Sequence, residues 1–207
     1  MTRKTIDTNR GQAHTVEAFI AALLLISGLL FAMQATAVTP LSASTSNQHI
    51  ENQQRSMAHD LLSTAAEDGT LKEGILYWNA SGGEFKETPD GASFYQNAGS
   101  QTAFLDSLNR TLAERRIAYN VRLRVHNTTG EPSVRTQTMV QMGQPSDNAV
   151  TASRTVTIYE SDRLSVDGGQ TLAEIEEDSG SVFYAPNADS DSQLYNRVEV
   201  RITTWRM

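Results

Sequence analysis

The side chains that could do chemistry in this 207-residue chain are its carboxylates, its four histidines and its serines and threonines; cysteine is absent. Without a thiol there is no thiolate metal site, no thiol nucleophile and no disulfide frame. The histidines His14, His49, His59 and His126 never fall four residues apart, and no HExxH occurs, so the usual zinc spacings are not met. Asn187, Asp189 and Asp191 offer oxygens to calcium, but the twelve-residue loop with its closing glutamate is missing, so the stretch reads as an acidic solvated loop. Glu174, Glu176, Glu177 and Asp178 read as a wet helix face, not an acid and base pair. No serine sits in a GxSxG elbow, and no glycine-rich run precedes Lys-Ser/Thr or follows a strand as GxGxxG. The expectation is a protein with no catalytic residues, no metal and no cofactor, and not an enzyme.

One carboxylate has unusual surroundings. From Ala18 to Met33 every residue after Glu17 is apolar or small and none is charged, and the run continues to Val38. Those 21 residues make about 31 Å of helix against a hydrocarbon core of about 30 Å. A bilayer-spanning helix near 18–38 is therefore predicted, with Glu17 at its edge, where a carboxylate must be neutralised, reach the interface or find a partner. Arg3, Lys4 and Arg10 precede the run and the next basic residue is Arg55. By the positive-inside rule the N-terminus is cytoplasmic and residues 41–207 lie outside, as a single-pass protein of the cell membrane in contact with lipid.

Arg10-Gly11-Gln12, a few residues before Glu17, adds to this pattern. A short basic leader, a Gly-Gln site, a glutamate and then an apolar helix together resemble the class III signal of archaeal type IV pilins and pilin-like proteins. The nearest overall likeness is to uncharacterised pilin-like membrane proteins of haloarchaea. The resemblance covers about 30 residues. It implies that a prepilin-type peptidase cuts between Gly11 and Gln12 and leaves the helix as anchor and assembly core, with Glu17 paired to the new terminal amine. Cutting there makes Glu17 the sixth residue, one beyond the family's usual fifth. Two other readings stay open: a plain uncleaved anchor, and a secretory signal cut after Ala37 at Ala35-Thr36-Ala37 that releases a soluble domain.

The elements that position these residues follow from periodicity. The division expected is a leader at 1–11, an anchor at 12–40, an amphipathic helical stem at 41–68 and an α+β domain at 69–207. In the stem Ile50, Met57, Ala58, Leu61, Leu62 and Ala65 share one helical face, and Gly69 ends the pattern. A short apolar element lies at 71–78, a loop follows, and Phe104, Leu105, Leu108 and Leu112 mark a helix at about 101–115. Ile117, Tyr119, Val121, Leu123 and Val125 then alternate with Ala118, Asn120, Arg122 and Arg124, a strand with one apolar and one polar face. Stretches 134–142, 150–159 and 194–205 behave likewise, the last with Val198, Val200 and Ile202 inward. The fold predicted is α+β: one long N-terminal helix, extended by the stem, on an antiparallel sheet of about four strands, which is also the pilin outline.

The net charge of −7 makes nucleic acid an unsuitable partner. Three lysines stand beside fourteen arginines, a balance that resembles proteins of salt-loving archaea. Arg122, Arg124, Arg135, Arg197 and Arg201 all take the polar parity of their strands. They either pair across strands with Glu199 and nearby acids or form a docking face for an acidic neighbour, including another copy of the chain. Asn79, Asn109 and Asn127 head glycosylation sequons. The functional expectation is a non-catalytic, membrane-anchored surface protein, a pilin-like subunit or minor component of an assembly. The alternative is a monomeric anchored module that binds an unidentified ligand.

Overall fold

The computed structural model describes residues 8–89, 91–127, 133–166 and 168–207. It divides into two compact units, Met1–His49 and Ile50–Met207, and α1 (Thr8–Glu67) contributes to both.

In the first unit every side chain from Gln12 to Gln34 is exposed, including Leu24, Leu25, Leu29 and Phe31. A soluble surface does not carry such a row of large apolar groups. The segment is 23 residues long, about 35 Å of helix, and is long and apolar enough to cross a membrane, a property an anchor shares with a secretory signal.

The second unit is built on the sheet the alternation predicts. β3 (Ile117–Asn127), β4 (Ser133–Gln141), β5 (Val150–Tyr159) and β6 (Leu194–Arg206) form one antiparallel sheet, order β4-β3-β6-β5, after a two-stranded hairpin of β1 (Trp78–Asn79) and β2 (Glu84–Phe85). That hairpin lies inside what the sequence reads as the end of an apolar element and a loop. Val121, Leu123, Val125, Val198, Val200 and Ile202 are fully buried on the inner face. Their cover is the end of α1, where Ala58, Leu61, Leu62 and Ala65 are buried, and α3 (Ala103–Thr111), where Phe104, Leu105 and Leu108 are buried. Ile50, expected on the α1 stripe, is only half-buried, and the buried position one turn on is Gln54. Gly69 adopts φ +83 between α1 and α2 (Thr70–Ile75), a left-handed conformation that suits glycine and ends the long helix there.

Residues 160–166 and 168–193 fold back over the inner side, where Leu164, Phe183 and Tyr184 join the core. Within them α4 (Leu172–Glu177) starts on a capping box, Thr171 Oγ1 accepting from Glu174 N at 3.1 Å while Thr171 N donates to Glu174 Oε2 at 2.7 Å. Leu172 and Ile175 enter the core. Trp78 Nε1 donates to Val182 O at 2.7 Å, and the Tyr184 hydroxyl donates to Ile75 O at 3.1 Å. Trp78, Phe85, Phe183 and Tyr184 meet ring to ring around these bonds, so a segment with little secondary structure of its own is held by aromatic burial.

The outer face departs from the sequence reading in two ways. Ala118 and Asn120, expected on a wet face, are buried, because the connection after β4 folds over that end of the sheet. Asn120 Oδ1 accepts from Met142 N at 2.9 Å and Asn120 Nδ2 donates to Gly143 O at 2.9 Å, which satisfies the buried amide and pins the connection. The second departure is a β-bulge: Val121 faces Val140 but Arg122 faces Thr138, leaving Met139 as the extra residue. One extra residue reverses the parity of everything beyond it. Arg135 therefore faces Val125 and takes the inner parity at the exposed end of an edge strand, while Val134 takes the outer one.

Candidate functional site

Two groups of residues carry the functional expectations, one in each unit. In the first, Arg10 and Gly11 fall within α1, and the described side chains begin at Gln12; Arg3 and Lys4 lie outside the described residues. Glu17 is exposed, and one turn away His14 Nδ1 approaches its Oε2 at 3.6 Å. An i, i+3 spacing places the two side chains side by side on a helix. The leader motif points to a terminal amine as the partner of Glu17, whereas His14 is the neighbour the helix supplies, at a spacing legible in the sequence. When His14 is protonated the pair is an ion pair, and one helix then carries both charges at the edge of its apolar run.

The second group is the outer sheet face. Antiparallel register sets Arg122 opposite Arg201 and Arg124 opposite Glu199, with Thr155 and Ser153 flanking from β5 and Arg197 opposite Thr157. Arg124 Nη1 donates to Glu199 Oε2 at 2.9 Å and Arg201 Nη2 donates to Glu199 Oε1 at 3.1 Å, so one carboxylate serves two guanidinium groups. Partial burial pushes the Glu199 carboxyl up; hydrogen bonds from Arg201 and Ser153 and the charges of Arg201 and Arg124 outweigh it and hold the group below its ordinary value. Pairing with Glu199 thus accounts for both, across strands for Arg124 and along β6 for Arg201. Arg122 and Arg197 are exposed and make no ion pair among the described residues, and Arg135 is off this face, as the bulge dictates. Arg122 also faces a like charge, an arrangement that costs stability unless an anion offsets it. Arg201 adds a buried Nε with no hydrogen-bond partner.

The four arginines against Glu199 give this face +3 in a chain of −7, so the rest of the chain sums to −10. The exposed acids include Glu174, Glu176 and Glu177 on α4 and Asp189 and Asp191 in the loop beyond it. Asn187 Nδ2 reaches Glu160 Oε1 at 3.0 Å and Glu176 Oε2 at 2.8 Å, so this asparagine crosslinks carboxylates by its amide. Among the described residues no three of His, Cys, Asp and Glu are placed to hold a metal ion.

The sequons differ in setting. Asn79 is half-buried in the β1–β2 hairpin with its amide donating to Glu84 Oε1 at 3.1 Å. Asn109 lies in the last turn of α3 and is half-buried. Asn127 ends β3, and the rest of its sequon lies outside the described residues. A groove between the end of α1 and α3 is lined by Asp60, Leu61, Thr64, Asp68, Ser107 and Thr111. Asp68 is already engaged by Thr70, whose hydroxyl donates to it at 2.6 Å and whose amide donates at 3.0 Å.

Fold and surfaces together define an α+β protein in which an N-terminal helix, apolar enough to span a membrane, leads into a four-stranded antiparallel sheet with a cationic outer face. The chain belongs to DUF7288, a family of unknown function, whose model matches residues 10–204. No curated protein and no solved structure matches it.

Proposed function

We propose that the protein is a non-catalytic surface subunit of pilin type, anchored by a single helix and working in an assembly of copies or related subunits. On this reading residues 1–11 are a cytoplasmic leader removed by a prepilin-type peptidase, 12–40 the anchor, 41–68 the stem and 69–207 the external domain. The observation that carries it is the Gln12–Gln34 helix, apolar over its whole circumference with a carboxylate at its edge. A bilayer satisfies the apolar surface alone, but Glu17 is better served by a neighbouring helix that brings a positive group.

A second reading is favoured by the outer sheet: a monomeric module that the helix only tethers and whose arginine face binds a ligand. Glu17 separates the two. In a tether, Glu17→Gln removes a cost and changes little. Between packed helices it leaves a partner charge uncompensated, at about 3–5 kcal/mol. The chain has no cysteine, so single cysteines at Leu24 and Gly28 report directly on helix neighbours. Crosslinks in membranes that weaken with Glu17→Gln are the expected result. No crosslinks in either background would leave the tethered module.

A further inference from the structure

We propose that the outer sheet face of one copy docks the acidic α4 corner of the next copy, with a carboxylate of that corner entering between Arg122 and Arg201. This deepens the assembly reading and rests on it. Three observations converge on an anionic occupant. Arg122 and Arg201 stand directly opposite each other across β3 and β6, and Glu199 answers Arg201 and Arg124 but not Arg122, so this like-charged pair gains from a second negative group. Arg201 spends Nη2 on Glu199 at 3.1 Å, yet its side chain remains 39% exposed, so its guanidinium can meet a further acceptor from outside. Arg122 and Arg197 are exposed and make no ion pair among the described residues.

The choice of occupant follows from where the charges sit. The cationic face is the side of the sheet away from α1, α3 and α4, whereas Glu177 and its neighbours lie on α4, whose Leu172 and Ile175 enter the core beneath the inner face. A unit with +3 on one side and exposed carboxylates on the other repels a copy presented like to like and attracts one presented head to tail. Such a contact joins two different surfaces, so it propagates to a third copy instead of closing on a two-fold axis. Guanidinium forks suit carboxylates and fix orientation as well as attraction. The β5 edge of the face adds exposed Thr155 and Ser153 beside Glu199 and Arg201 in the register, small polar groups that admit a close approach.

The test uses the full chain in membranes, with two distinguishable copies. One carries Thr155→Cys on the outer face and the other Ser179→Cys beside the acidic corner, and Leu24→Cys copies report anchor contacts in parallel. The expected result is a crosslink between positions 155 and 179. It falls about tenfold or more when Arg122→Glu and Arg197→Glu are placed on the first copy. It returns when the second copy carries Glu177→Arg and Asp191→Arg. The reversals sit on exposed side chains, and a glutamate at 122 gains Arg201 as a partner, so folding is kept. Absence of the 155–179 crosslink, indifference to the reversals, or loss without restoration by the matched pair overturns the docking. If anchor crosslinks at Leu24→Cys persist in those cases, the assembly reading stands without this contact; if they too are absent, that reading fails.

Discussion

Replacing Glu199 with glutamine removes the one acid from a face that otherwise carries four arginines. In the folded protein its two oxygens accept from Arg124 at 2.9 Å and Arg201 at 3.1 Å. The side chains of Arg124 and Arg201 are 35% and 39% exposed and that of Glu199 24%, so solvent screens both pairs. Each such pair contributes about 0.2–1 kcal/mol, and the loss leaves Arg122 and Arg201 facing each other uncompensated, for a total of about 1–2 kcal/mol. With a urea dependence of about 2 kcal/mol per molar, the unfolding midpoint at neutral pH should fall by about 0.5–1 M. Trp78 and Trp205 are both buried and report the transition by fluorescence. The pH dependence supplies the control. Because the folded carboxyl is held below its ordinary 4.5, its contribution is present above that value and is lost as pH falls through the folded one. Wild type and Glu199→Gln should therefore converge in acid. Equal midpoints at neutral pH, or a difference that persists undiminished in acid, would refute the reasoning.

The remaining predictions use the same transition. Leu62→Ala, at a side chain with 1% exposure, should cost about 2–5 kcal/mol, and Val200→Asp should prevent folding by placing a carboxylate in the core; normal unfolding of Val200→Asp would overturn the inner parity of β6. Asn120→Ala should cost about 1–3 kcal/mol and speed hydrogen exchange at the Met142 amide, since the buried amide that pins the connection is gone. Burial raises the phenols of Tyr95, Tyr119, Tyr184 and Tyr195, Tyr119 and Tyr195 to about 12. Stability is then complete below their ordinary 10 and is lost as pH rises toward the folded values, and an ultraviolet titration should show these four phenols ionising late, with unfolding.

Strong periodicity made much of this fold legible. The alternation from Ile117 to Val125 and the stripe from Ala58 to Ala65 each have a single burial solution, and both faces meet in one core. What escaped depended on events without a periodic signature. A bulge at Val121 and Arg122 moved Arg135 to the other parity, and nothing in the alternation of β4 announces it. The burial of Asn120 needs a distant connection to fold over it, a contact between residues 22 and 23 positions apart. Aromatic packing around Trp78, Phe183 and Tyr184 holds the stretch between β5 and β6, whose sequence reads only as a short helix and an acidic loop with no sign of what they pack on. At the outer face the sequence supplied the arginines and Glu199, but register alone decides that Arg122 meets Arg201 and that Glu199 serves Arg124. His14 beside Glu17 is legible from its i, i+3 spacing alone, a local signal that needs no tertiary contact.

Intact-mass analysis of the protein extracted from membranes tests the anchored, pilin-type reading most directly. A mature chain beginning at Gln12, with the apolar helix retained and the protein in the membrane fraction, is the predicted result. A chain beginning at Val38, with the protein in the soluble fraction, would contradict it, because the helix proposed as anchor and assembly core would have been cut away.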